Sequence, residues 1–168
     1  VYLYLETEQL ALKCGVLANG QYTSSDRGIS GASTIVLEYV LDTPSLNLRY
    51  GVSLISVEQA KRNLEREINN YDLKVLSEAG RRIWNEKLGK ISVTGGSEQD
   101  KTVFYTSLYR TYERMICISE DGKYYSAFDG KVHNDYGIPF YTDDWIWDTY
   151  RAVHPLRVII EPKMETDM

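Results

Sequence analysis

The chain has 168 residues, 43% of them hydrophobic and 26% charged, the proportions of a globular protein with room for one domain or for parts of two. A net charge of −5 argues against a nucleic-acid partner, and no apolar run approaches the roughly 18 residues of a membrane helix. Only two cysteines occur, Cys14 and Cys117; they lie in different predicted elements, so the expectation is two buried free thiols rather than a disulfide framework or a metal site.

Residues 1–5, 10–17 and 35–41 are short β-rich or apolar runs. Leu46 to Ile55 alternates apolar and polar residues, the pattern of a strand with one buried face. Between these runs, the polar stretch 19–33 reads as a long loop. Val1 starts the chain in what reads like the middle of a strand, and both ends read as cut.

The pattern then turns helical. Ser56-Val57-Glu58-Gln59 predicts a capping box, with a charged helix to about Ile68. A second helix is expected from about Asp72 to Leu88, with Leu73, Leu76, Ala79, Ile83, Trp84 and Leu88 on its apolar side. Residues 91–93 suggest a short strand. Ser97-Glu98-Gln99-Asp100 opens a third helix, expected to reach about Met115 and to bury Phe104, Leu108, Tyr112 and Met115. Residues 124–128 suggest a strand followed by a turn at Asp129-Gly130. The Asp143-Asp144 pair suits the N-terminus of a last helix, with Pro155 straining its interior. Strands followed by helices predict an α+β fold.

Chemistry concentrates in Trp145-Ile146-Trp147-Asp148-Thr149-Tyr150-Arg151, followed by His154-Pro155-Leu156. A pyranose has an apolar C–H face and a rim of hydroxyls, and this segment supplies flat apolar rings beside fixed hydrogen-bonding groups. The 14 tyrosines fit such a surface, although strand propensity explains many of them. Asp148 and Arg151 stand three apart, so a surface ion pair is the plain alternative. Trp147 has core packing as its alternative, and Asp129 a turn-forming role. Asp143, Asp144 and Asp148 are read as helix-terminus and site carboxylates rather than as a calcium cage; no metal ligand is assigned. His133 and His154, the only histidines, complete no zinc or nucleophile pattern; His154 is expected to pack against Pro155.

An ordered series of motifs then carries a resemblance: Val52-Ser53-Leu54-Ile55-Ser56-Val57-Glu58-Gln59-Ala60, Asn63-Leu64, Glu67-Ile68, Trp84-Asn85, Phe104-Tyr105-Thr106-Ser107-Leu108-Tyr109-Arg110, Gly122-Lys123-Tyr124, and Trp147-Asp148-Thr149-Tyr150-Arg151-Ala152 with His154-Pro155-Leu156. Over roughly residues 46–162 the chain resembles glycoside hydrolase family 92, calcium-dependent exo-acting α-mannosidases, often α-1,2-specific and common in gut bacteria. The resemblance implies the C-terminal strands of a β-sandwich (residues 1–57), linker helices (58–96) and the first helix or helices of an (α/α)₆ barrel (97–168). It implies a fragment of an inverting hydrolase that removes terminal α-linked mannose from glycans, with Ca²⁺ in the parent enzyme and a secreted, periplasmic or cell-surface bacterial location. The acid, the base and most calcium contacts would lie further along the parent chain, so no catalytic residue is assigned and the fragment alone would be inactive. Asp148, Trp147, Arg151 and Asp129 are the expected substrate-binding residues. This chain departs from the family by carrying Asp144-Trp145-Ile146 before Trp147-Asp148, where the family usually has an aromatic-Ser-Leu run; the change bears on linkage preference. The alternatives are a non-catalytic carbohydrate-binding module and a structural fragment that docks through a Tyr-rich face.

Overall fold

The computed structural model describes residues 1–25, 34–40, 45–142 and 144–168. Strand β1 (Tyr2–Thr7) pairs antiparallel with β5 (Leu48–Ser53), bringing together segments more than forty residues apart. The register places Leu3 opposite Val52, Leu5 opposite Tyr50 and Thr7 opposite Leu48 on one face. The other face carries Tyr4, Gly51, Glu6 and Arg49 and is covered by helix α1 (Val57–Glu67). Gly51 permits that approach, because a Cβ there would meet the Ala60 carbonyl oxygen at 2.2 Å. Ala60 and Leu64 of α1 are buried against it, Leu64 with 1% of its surface exposed. Arg49 locks the sheet, donating to Glu6 Oε2 at 2.5 Å and to the Ile68 carbonyl at the end of α1.

A second sheet has the order β3-β2-β4, all antiparallel, from β2 (Lys13–Ala18), β3 (Gln21–Ser24) and β4 (Thr34–Glu38). Strand β3 falls inside the stretch expected to be a loop. The reason is Asn19-Gly20, both at positive φ, which makes a two-residue hairpin turn and returns the chain onto β2. The rest of that expected loop, 26–33, lies outside the described residues.

Helix α1 opens on Ser56, whose hydroxyl accepts from Gln59 N at 3.1 Å. Only this half of the expected capping box forms. The Gln59 side chain is instead buried and donates to Asn63 and Asp121. Asp121 also receives Arg66, and Glu120 accepts from Asn63 and from Leu54 N, so the 120–121 turn is fastened to α1 and β5. Arg62 and Arg66 hold the Asp121 carboxyl below its ordinary titration range, together with the first and largest influence, the Gln59 amide, and against partial burial.

Helix α2 (Leu73–Leu88) is capped by Asp72, and α3 (Glu98–Arg110) by a complete Ser97–Asp100 capping box. The apolar side of α2 stays largely exposed in this chain; its link to α3 is Trp84 against Tyr109, with ring centroids 4.5 Å apart. Two expectations change here. Residues 91–93 form no strand, because Tyr105 of α3 holds them, donating to the Ile91 carbonyl and accepting from Val93 N. Helix α3 ends at Arg110 rather than near Met115: the next three amides bond three residues back, and the Thr111 hydroxyl takes the Leu108 carbonyl. Of the expected stripe, only Leu108 is buried.

The hairpin of β6 (Lys123–Ser126) and β7 (Lys131–Asn134) follows, with Tyr124 stacked on Phe140 at 4.1 Å. The last expected helix is three pieces: one turn of α4 (Ile146–Thr149), then α5 (Val153–Ile160) and α6 (Pro162–Asp167). Pro155 does not strain a helix interior. It falls in the first turn of α5, where an amide N–H has no intrahelical partner to lose. Both cysteines are exposed, not buried: Cys14 lies in the central strand β2, opposite Leu37, and Cys117 forms an isolated bridge with Tyr141.

Candidate functional site

The single turn α4 carries the sugar-type residues. It has no side-chain cap of its own and starts at Trp145. Asp143 lies outside the described residues. Asp144 does not cap the helix as expected. Its Oδ2 instead accepts from Thr149 Oγ1 at 2.5 Å and from His154 Nε2 at 2.8 Å. His154 Nδ1 faces Glu165 Oε1 of α6 in a short hydrogen bond. So His154 joins the chain before α4 to the helices after it, a role the expected packing on Pro155 did not include. The two carboxylates raise the His154 pKa above its ordinary value, Glu165 most, while partial burial opposes them. Burial alone would raise Asp144, but the bonds from Thr149 and His154 outweigh it and hold that carboxyl down.

On this support, Trp147 projects with 80% of its surface exposed. Its ring lies 6.2 Å from that of Tyr150, tilted by 46°. Asp148 is exposed, and among the described residues its carboxylate has no hydrogen-bond or ion-pair partner. The surface ion pair with Arg151 does not form. Arg151 donates from Nε to the Tyr150 hydroxyl at 2.7 Å and lies over that ring. Trp145 is held separately, with the Arg114 guanidinium 3.8 Å from its ring centre. Trp147, Tyr150 and Arg151 therefore form one exposed rim, with Asp148 on the same short turn.

Asp129 is not joined to that rim by any hydrogen bond or ring contact among the described residues. It accepts from His133 Nε2 at 2.9 Å and from Lys131 N at 3.2 Å, closing the β6–β7 turn. The His133 bond is the main influence holding its carboxyl below the ordinary range. The Asp144–His154–Glu165 bridge was missed in the sequence. Its members are ten and eleven residues apart and lie before α4, in α5 and in α6, so no single element's period links them; the breaks around α4 and α5 bring them together.

What the rim can do is bind. Trp147 offers a flat apolar face, and an ionised Asp148 accepts hydrogen bonds from hydroxyls. General-acid work needs a carboxyl whose pKa is raised. Among the described residues, every carboxyl with a displaced titration is displaced downward. No group of three or more carboxylate, imidazole or thiol side chains among them converges to hold a metal ion. No helix among the described residues is long and apolar enough to cross a membrane.

The profile of the glycosyl hydrolase family 92 catalytic domain matches residues 59–168. An uncharacterized secreted glycosidase of Arthroderma benhamiae is 34% identical over 70 residues, which is 39% of this chain and 9% of that protein. The fold is similar to that of the family GH92 inverting mannosidase BT2199 from Bacteroides thetaiotaomicron VPI-5482, with a TM-score of 0.73 and 29% identity over 93% of this chain and 22% of that one. The family GH92 α-mannosidase BT3965 from Bacteroides thetaiotaomicron shares the fold at a TM-score of 0.80 and 20% identity, over 99% of this chain and 23% of its own. The chain thus spans under a quarter of the length of these relatives. It belongs to glycosyl hydrolase family 92.

Proposed function

We propose that this chain belongs to an inverting α-mannosidase and contributes part of its sugar-binding rim, acting on terminal α-1,2-linked mannose. The observation that carries the reading is the turn α4. It holds an exposed Trp147 beside an Asp148 whose carboxylate has no partner among the described residues, on a support that is itself tied down. Trp147 covers the C–H face of the terminal mannose, Asp148 accepts from two of its hydroxyls, and Arg151 keeps Tyr150 at the edge. In an inverting reaction one carboxyl protonates the leaving oxygen and another activates water on the opposite face. The family resemblance places both outside these residues, and no carboxyl among the described residues is displaced upward as a general acid would be. The 168 residues alone therefore release no mannose.

The domain reading is also a proposal: residues 1–57 as sandwich edge, 58–96 as linker, 97–168 as barrel entrance. The uncovered face of the β1–β5 pair supports it. Leu3, Leu5, Leu48, Tyr50 and Val52 stand there together, each more than two-fifths exposed, as if awaiting a second sheet. The accessible surface is 12660 Å², against about 8,500 Å² for a self-contained globule of this mass. Calcium, implied by the family, takes about six to eight oxygens. The described residues do not form such a cage, so no step here passes through it. A secreted location rests on the printed description of the fungal relative.

The test is kinetic. In the full polypeptide that carries this chain, Asp148→Asn is expected to lower kcat/KM on α-1,2-mannobiose by roughly 10²-fold, since a hydrogen bond to a charged group contributes about 1.5–3 kcal/mol. Trp147→Ala is expected to raise KM. Wild-type rates in both variants would refute the assignment. Mannose binding without hydrolysis by the full polypeptide would favour the carbohydrate-binding module instead.

A further inference from the structure

His154 has a carboxylate oxygen at each ring nitrogen. Nε2 meets Asp144 Oδ2 at 2.8 Å, and Nδ1 meets Glu165 Oε1. Carboxylates only accept, and neutral imidazole has a single N–H. Both contacts are satisfied together only by the doubly protonated ring. The three side chains are mostly shielded, His154 with 24% and each carboxylate with 12% of its side chain exposed. Asp144 Oδ1 and Glu165 Oε2 are buried with no hydrogen-bond partner, so the carboxylates depend on the ring between them. Among the described residues, Arg157 of α5 also faces the cluster, its Nη1 4.0 Å from Glu165 Oε2. Thr149, the last residue of α4, completes the path by donating to the same Asp144 oxygen that His154 holds.

We propose that the Asp144–His154–Glu165 bridge is a positioning device that fixes turn α4, and with it Trp147 and Asp148, for the bound sugar. This rests on the sugar-rim reading above. His154 touches no substrate; it acts through Asp144 and Thr149. A pH dependence follows from the geometry. When the ring loses its second proton, one buried carboxylate faces a nitrogen lone pair and that link opens. The neighbours raise the ring's pKa, so the bridge is intact below that raised value and lost as pH rises through it.

The experiment measures the dissociation constant of free D-mannose, a neutral ligand that is not consumed, from pH 5.5 to 9 by NMR titration of the full polypeptide carrying this chain. Wild type is expected to weaken at least 5-fold across the titration of His154, with the ring seen doubly protonated at pH 7 by ¹⁵N NMR. His154→Gln is expected to bind about 10-fold more weakly at low pH and to show no such step. Thr149→Val, a milder change, is expected to weaken binding about 3-fold while keeping the step, and it decides the matter with the wild-type profile if His154→Gln does not fold. A flat wild-type profile, or His154→Gln binding like wild type while Asp148→Asn binds poorly, would overturn the bridge. Asp148→Asn binding like wild type would overturn the sugar-rim reading instead.

Discussion

Gly51 offers the sharpest structural prediction, because the atoms a side chain there would meet are explicit in the fold. It lies in β5 directly beneath α1, and a Cβ built there meets Ala60 O at 2.2 Å, Leu64 Cβ at 2.9 Å and Leu64 N at 3.0 Å. Ordinary contact is 3.4–4 Å, so the nearest pair is short by more than an ångström. Two of the three obstructing atoms are helix backbone, which no rotamer change removes. Strand and helix must separate, and the buried Leu64 loses contact. Overpacking costs about 1–3 kcal/mol, and backbone obstruction puts Gly51→Ala near the upper end. For a domain of roughly 150–250 residues, ~3 kcal/mol lowers the melting temperature by about 6–12 °C. Differential scanning calorimetry of the full polypeptide carrying this chain reads the shift. A melting temperature within 2 °C of wild type would refute the close approach of β5 and α1.

Glu161 accepts from Lys87 at 2.8 Å and pairs with Lys90 at 2.7 Å, joining the end of α2 to the α5–α6 junction. Burial pushes its carboxyl up, but the two lysines outweigh that and depress it. A depressed folded pKa stabilises above the ordinary carboxylate range and is lost as pH falls through the folded value. Glu161→Gln is therefore expected to cost about 1 kcal/mol at pH 7, discounted for the half-exposed lysines, with the deficit shrinking in urea titrations as pH falls through the depressed folded value. A deficit that does not change with pH would contradict the pairing. Tyr105→Phe removes both bonds that hold residues 91 and 93, with an expected loss of ~1–2 kcal/mol by urea unfolding; no loss would mean the 91–93 segment is held otherwise. Both thiols of the 168-residue chain are expected to react with Ellman's reagent without denaturant, and protection of either would show that its surface is covered.

How much of this was legible depends on whether the signal was local. The alternation at 46–55 marked β5, and Ser56 and Ser97 marked two helix starts, because capping and strand period act within a few residues. Strand β3 was hidden because its residues are polar and its only marker is the Asn19-Gly20 turn. The pairing of β1 with β5 is non-local and invisible in either strand alone. Burial was misjudged at both cysteines, since a thiol's average preference does not tell which face of a thin sheet or bridge this chain leaves uncovered. At the site, Trp147, Asp148 and Arg151 stood out by residue type and spacing, and they share one short segment. Their support was not legible: Asp144 had an adequate explanation as a helix-terminus acid, and Glu165 had no neighbour to draw attention to it.

The central claim, an inverting α-mannosidase, is tested most directly by the anomer first released. The full polypeptide carrying this chain is mixed with methyl α-1,2-mannobioside, whose leaving methyl mannoside cannot mutarotate, and the released mannose is followed by ¹H NMR before it mutarotates. The account predicts that β-mannose appears first, and that Asp148→Asn slows its appearance roughly 10²-fold. Release of α-mannose first, or no mannose at all, would contradict it.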